Sequence, residues 1–174
     1  LEHTPGGSYS GSAAAIGDFM VPLALGTQTG GSTIRPAAYC GAFGFKPTYN
    51  RNPLTGIKPL SVSFDTLGLI ARSVDDLALL DAGLTGAVAL EPQVNHNGVP
   101  RIGYCKTPFW NETENSTRNA LADAVAVLGA NGVEVEEVSL PEEIRELSAG
   151  HGLVMSVEAA FAFCLLYTSD AADE

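Results

Sequence analysis

Two glycine- and serine-rich stretches constrain this chain more than any other feature: Gly6-Gly7-Ser8-Tyr9-Ser10-Gly11-Ser12 and Gly26-Thr27-Gln28-Thr29-Gly30-Gly31-Ser32-Thr33-Ile34-Arg35-Pro36. They set two small hydroxyl side chains, Ser8 and Ser32, directly after glycine pairs, where positive φ and close main-chain approach are allowed. Successive N–H groups in such a turn can converge on one spot and hold a developing oxyanion. Ser32, directly after Gly30-Gly31, is therefore a candidate nucleophile, although no proton acceptor for it stands nearby in sequence. A turn that only packs, or one that cradles a phosphate, is the competing reading. The phosphate version is weak, since neither GxGxxG nor GxxxxGK[ST] occurs in the block.

The chain has 174 residues, 45% hydrophobic and 17% charged, enough for one domain with a core. A net charge of −11 argues against nucleic acid or an anionic membrane as partner. No apolar run reaches the roughly 18 residues that would span a bilayer. No basic segment followed by an apolar one marks a leader, though the chain begins with Leu1 and its true start is expected elsewhere. A cytoplasmic location is the expectation. Cys40, Cys105 and Cys164 lie far apart and are expected as buried, reduced thiols. His3, His96 and His151 are equally scattered, so neither a metal nor another cofactor is expected.

The pattern along the chain is α/β: a mixed twisted sheet flanked by helices. Residues 10–19 favour a helix that Ser10 can cap. Val21 to Gly26 reads as a buried strand, and Gly41 to Pro47 as another stopped by its proline. Residues 49–63 are loop-like. Ser73-Val74-Asp75-Asp76 resembles a capping box, and Leu77, Leu80 and Leu84 recur at helical spacing up to Gly86. Residues 88–100 look like a linker. Ile102 to Cys105 suits a strand. A helix starting at Asn115 or Thr117 carries Leu121, Ala124, Val125 and Leu128 on one face and ends at Asn131-Gly132. Val133, Val135 and Val138 then suit a strand with Glu134 and Glu136 on its other face, making a β-α-β unit and hence a parallel pair. Pro141 to Phe163 reads as a last helix.

Residues 164–174, Cys164-Leu165-Leu166-Tyr167-Thr168-Ser169-Asp170-Ala171-Ala172-Asp173-Glu174, resemble translated sequencing-adapter DNA. The expected division is a partial domain over 1–163 and a non-native tail over 164–174, the whole being a fragment open at both ends.

Residues 4–48 resemble the amidase signature family. The matching residues are Gly6-Gly7-Ser8, Ser10-Gly11-Ser12-Ala13-Ala14-Ala15, Leu25-Gly26-Thr27, Gly30-Gly31-Ser32, Ile34-Arg35-Pro36-Ala37, Cys40-Gly41 and Gly44-Phe45-Lys46-Pro47-Thr48. Weaker similarity continues through Phe64-Asp65-Thr66-Leu67-Gly68, Arg72, Asp76 and Arg101-Ile102-Gly103 towards Glu158. The resemblance implies a partial amidase-signature fold and hydrolysis of a small-molecule amide through a serine–serine–lysine triad. Ser32 stands where that family has its acyl nucleophile, and Ser8 where it has a bridging serine preceded by a cis peptide bond. The amides of Thr29, Gly30, Gly31 and Ser32 match its oxyanion hole.

The family's lysine lies well upstream of the bridging serine, and only seven residues precede Ser8, none of them lysine. Lys46 belongs to a stretch the family uses structurally, while Lys58 and Lys106 read as solvated charges. The fragment alone is therefore expected to be inactive. Tyr9 replaces a frequent second serine, Gln28 a frequent aspartate, and Arg35 follows Ser32 by three residues instead of two, which places any local acid–arginine pairing in doubt. The last two features resemble stand-alone bacterial amidases more than the glutaminase subunit of a transfer-RNA amidotransferase, the alternative enzyme. A non-catalytic binding or assembly module is the alternative from another class. Homo-oligomerisation is compatible with the sequence and not specified by it.

Bland readings suffice elsewhere. Glu134, Glu136 and Glu137 suit a solvated strand edge, His151 a packed or surface role beside Met155 and Glu158, and Phe109-Trp110 a core or loop anchor. The Asn111 and Asn115 sequons matter only in a secretory context.

Overall fold

The computed structural model describes residues 3–87, 100–141 and 143–164. The linker expected over 88–100 and nearly all of the tail expected over 164–174 lie outside them. Two compact units divide the chain, one formed by residues 1–91 with 154–174 and the other by residues 92–153. Helices and small sheets make both up, so the α/β expectation holds.

In the first unit the order is α1 (Ser10–Gly17), β1 (Leu23–Gln28), α2 (Ile34–Tyr39), β2 (Phe43–Phe45), β3 (Thr66–Ala71) and α3 (Val74–Thr85). The strands form an antiparallel sheet in the order β1-β3-β2, with Leu23 opposite Ala71, Gln28 opposite Thr66, and Phe43 opposite Ala71. All six residues of β3 are buried. Side chains alternate across a strand, so Ile70 faces Ala13 and Ile16 of α1 and Ala37 of α2, while Leu69 and Ala71 face Leu77 of α3. The sequence pattern does not announce this central strand. Thr66-Leu67-Gly68-Leu69-Ile70-Ala71 is buried on both faces and so lacks the polar alternation that betrays a half-buried strand.

Other boundaries move as well. The first strand sits two residues later than expected and is only partly buried, with Leu25 exposed. Tyr9, not Ser10, occupies the N-cap of α1. Ser10 is already helical, and its hydroxyl donates to the Gly6 carbonyl. The short α2 is a further addition, with Pro36 tolerated in its first turn. The cap of α3 is as read: Ser73 Oγ accepts from the Asp76 amide at 3.1 Å, and Gly86 ends the helix in the left-handed region at φ 69°. Arg72 fastens the α1–β1 connection by donating to the Ile16 and Val21 carbonyls at 3.2 and 2.7 Å.

The second unit contains β4 (Arg101–Cys105), α4 (Asn115–Ala130) and β5 (Glu134–Val138), with β4 and β5 parallel as the β-α-β pattern requires. Arg101 pairs with Glu134 and Glu136, and Lys106 with Glu137, all at the solvent surface. Strict alternation puts Val138 on the face of Glu134 and Glu136, not with Val135, and it overhangs Gly103. Of the expected apolar face of α4, only Val125 and Leu128 are half-buried, while Leu121 and Ala124 are exposed. Trp110 anchors a loop: its ring meets Tyr104 edge-on and lies under the Arg118 guanidinium. The last helix, α5 (Ile144–Ala162), starts three residues after Pro141. Cys40 and Cys105 are only half-buried and Cys164 is exposed, which corrects the expectation of buried thiols.

Candidate active site

Two glycines opposite each other in the sheet, Gly26 and Gly68, leave a strip without side chains. A Cβ on Gly26 would sit 2.6 Å from Tyr9 Cγ, and one on Gly68 would sit 2.7 Å from Thr33 Oγ1. Tyr9 and Thr33 directly follow Ser8 and Ser32. The strip therefore seats both serine turns on the same face of the sheet. Tyr9 is locked there by its hydroxyl, 2.7 Å from Thr27 Oγ1, and Thr33 by donation to the Gly26 carbonyl at 3.2 Å.

The turns are also joined directly. The Tyr9 amide donates to the Ser32 carbonyl at 3.3 Å. Arg35 donates twice to the Gly7 carbonyl, from Nε at 3.2 Å and from Nη2 at 2.9 Å. The Gly7–Ser8 peptide bond is cis. Ser8 Oγ and Ser32 Oγ lie 3.3 Å apart, so the two hydroxyls can share a proton, with Ser8 exposed and Ser32 half-buried.

The turn of residues 29–32 is held at both ends. At its exit, Gln28 Oε1 accepts from the Thr33 and Ile34 amides at 3.0 and 2.9 Å, serving as a remote cap for α2. At its entrance, Thr29 Oγ1 donates to Asp65 Oδ1 at 2.5 Å. Among the described residues, the amides of Gly30, Gly31 and Ser32 donate to no backbone or side-chain acceptor. Neither Gly30 nor Gly31 is among the described residues with positive φ, so what they contribute is bare main chain and not a left-handed turn.

The three lysines are engaged elsewhere. Lys46 Nζ donates to the Pro47 carbonyl at 2.9 Å. Lys58 donates to the Ala162 carbonyl at 2.5 Å and lies over the Phe163 ring, so it is more than a solvated charge. Lys106 grips both Glu137 oxygens, and this hydrogen-bonded partner raises its ammonium above the ordinary lysine range. Glu158 of α5 accepts from the Ser61 and Ser63 hydroxyls and the Ser63 amide, and these bonds hold its carboxyl below the ordinary range. Among the described residues no group of three or more His, Cys, Asp or Glu could hold a metal. No helix among them is long and apolar enough to cross a membrane.

Sequence reasoning does not assign Gln28, Arg35 and Asp65 these tasks. The doubted acid–arginine pairing is replaced by two separate devices, a carboxamide on the α2 amides and a guanidinium on the Gly7 carbonyl. The one available signal for Asp65 is a lone acid at the entrance to an apolar run.

The amidase family model matches residues 1–171. Mandelamide hydrolase of Pseudomonas putida is 43% identical over 143 residues, which is 82% of this chain and 27% of that protein. One component of the glutamyl-tRNA(Gln) amidotransferase of Clostridium novyi (strain NT) is 36% identical over 173 residues, 92% of this chain and 36% of the relative. Among solved structures, a crystal structure of an amidase superposes with a TM-score of 0.83 at 34% identity, over 98% of this chain and 38% of its own. The peptide amidase from Stenotrophomonas maltophilia gives 0.71 at 30% identity, over 94% and 37%. The chain thus spans 27% and 36% of the lengths of these two curated relatives.

Proposed function

The chain belongs to the amidase family, and on that premise we propose that it carries the serine half of a centre that hydrolyses a small-molecule amide in the cytoplasm. Ser32 Oγ attacks the amide carbonyl carbon while its proton passes to Ser8 Oγ. The Ser8 proton passes in turn to the neutral amine of a lysine from outside residues 1–174. The oxyanion that forms is held by the amides of Thr29, Gly30, Gly31 and Ser32. Collapse expels the amine, which recovers a proton from the lysine by way of Ser8, and leaves an ester on Ser32. Water deprotonated along the same route releases the acid and restores the hydroxyl.

The observation that carries this reading is the 3.3 Å contact between Ser8 and Ser32 beside the uncommitted amides of Gly30, Gly31 and Ser32. Lys46, Lys58 and Lys106 each hold another partner, which supports a base from elsewhere. A second reading, glutamine hydrolysis within a transfer-RNA amidotransferase, draws on the similarity to the clostridial amidotransferase component.

The test is ammonia release from simple aryl amides and from glutamine by the complete reading frame. Ser32→Ala lowers kcat by about 10⁴-fold or more, as loss of a catalytic serine does elsewhere. The 174-residue chain alone releases no ammonia. Wild-type turnover in Ser32→Ala, or Ser32-dependent release by the short chain, overturns the proposal. Activity on glutamine alone selects the second reading.

A further inference from the structure

We infer that Asp65 is a positioning residue for the amide-bearing turn, acting through the Thr29 hydroxyl. The inference rests on the reading that this turn receives the oxyanion. Asp65 is 3% exposed and never approaches Ser8 or Ser32 by a hydrogen bond among the described residues. Its carboxylate has three donors: the Thr29 hydroxyl on Oδ1 at 2.5 Å, and the Leu60 and Ser61 amides on Oδ2 at 2.7 and 3.1 Å. A buried side chain whose two oxygens are both engaged leaves no unsatisfied polar atom and holds its partners in place.

Location gives the interaction its function. The ladder between β1 and β3 ends at Gln28 opposite Thr66. One residue further, Thr29 and Asp65 continue the pairing through side chains. This bond stands between the rigid sheet and the first residue of the turn, while Gln28 secures the far end through Thr33 and Ile34. The 60–65 loop that supplies the other two donors is itself gripped by Glu158, through Ser61 and Ser63. The amides of Gly30, Gly31 and Ser32, which have no protein acceptor among the described residues, are placed by these two anchors together with the Arg35 amide on the Gly31 carbonyl at 3.0 Å and the Tyr9 amide on the Ser32 carbonyl. Donors in an oxyanion hole act only within a few tenths of an ångström of the correct position, so loosening one anchor reduces turnover more than substrate binding.

The experiment uses the complete enzyme and steady-state hydrolysis of an aryl amide. Thr29→Val removes the hydroxyl but leaves both amide bonds to Asp65, so it isolates the link to the turn from the stability of the loop. It lowers kcat by about 10–100-fold with KM within about threefold, a partial version of deleting an oxyanion donor. Asp65→Ala, which removes the acceptor of the Thr29 hydroxyl and also frees the Leu60 and Ser61 amides, lowers kcat at least as far. The double variant falls no more than about threefold below the worse single one, because both cut one connection. Thr29→Ser, which restores the hydroxyl, recovers at least tenfold in kcat over Thr29→Val. Multiplicative losses in the double variant, a kcat within twofold of wild type in Thr29→Val, or no recovery in Thr29→Ser overturns the inference. Wild-type turnover in Ser32→Ala would instead remove the functional reading itself, so the two failures are distinguishable.

Discussion

β3 and β5 are strands of similar length, yet β3 buries all six of its residues and β5 buries none. The cause is position and composition together. β3 lies between two partners and carries α1 and α2 on one face and α3 on the other. β5 has the single partner β4, and it carries glutamate on both faces, Glu134 and Glu136 on one and Glu137 on the other. The same contrast runs through the helices, since α1, α2 and α3 have buried residues and α4 has none. Both serine turns rest on the deeply packed sheet. A reacting constellation needs placement to a fraction of an ångström, and a close-packed interior resists displacement in a way that a solvated parallel pair does not.

The largest effect should come from emptying the core under the serine turns. Ile70 is 0% exposed, between α1 and α2. Ile70→Ala should cost about 2–5 kcal/mol in urea denaturation, the usual range for a buried aliphatic truncation. Val125→Ala on the half-buried face of α4 should cost under about 1 kcal/mol, since little area leaves an apolar environment. Equal losses at the two positions would break the contrast.

A smaller effect tests glycine against glycine. A methyl on Gly68 would meet Thr33 Oγ1, Cγ2 and Cβ at 2.7, 2.8 and 3.0 Å, and Thr33 is fully buried and cannot step aside. Gly68→Ala should therefore cost about 1–3 kcal/mol as overpacking. A methyl on Gly103 would meet only Val138, nearest at Cγ2 and 3.3 Å, an exposed side chain that can yield. Gly103→Ala should change stability by no more than about 0.5 kcal/mol, as surface substitutions usually do. Denaturant midpoints of both variants decide it.

What could be read from the sequence depends on how far apart in the chain the interacting groups lie. The Ser73 cap, the Gly86 stop and the β4-α4-β5 unit were legible because each depends on near neighbours in sequence or on unbroken periodicity. Ser8 and Ser32 were legible as a pair only through the resemblance, since nothing in their 24-residue separation says that their hydroxyls meet. β3 was hidden because a strand covered on both faces reads as an apolar run without period, interrupted here by Gly68. The short α2 was hidden because its N-terminal amides are satisfied by Gln28, which lies in a strand and not at the cap position. Asp65 and Arg35 hold groups 36 and 28 residues away, Thr29 and the Gly7 carbonyl, and spacing alone does not indicate such partnerships.

The smallest expected effect distinguishes the two regions by the end of the pH scale at which each loses support. In the first, the hydroxyls of Ser61 and Ser63 and the Ser63 amide hold the Glu158 carboxyl below its ordinary value. A carboxyl depressed on folding stabilises above its unfolded value, and that contribution is lost as pH falls through the folded one. The stability difference between wild type and Glu158→Gln should therefore be constant above about pH 5 and shrink on acidification below the ordinary glutamate value near 4.3. In the second, Glu137 raises Lys106 above its ordinary value. Its contribution is present below the unfolded value and disappears as pH rises through the folded one, so the difference between wild type and Lys106→Met should shrink only above about pH 10.4. Lys106 and Glu137 are solvent-exposed and screened, so added salt should erase most of the second difference. The first should survive salt, because it rests on hydrogen bonds to serines and not on an opposite charge. Urea midpoints across pH at low and high salt measure both, and a salt-sensitive Glu158 difference would show that the two regions hold their charged groups in the same way.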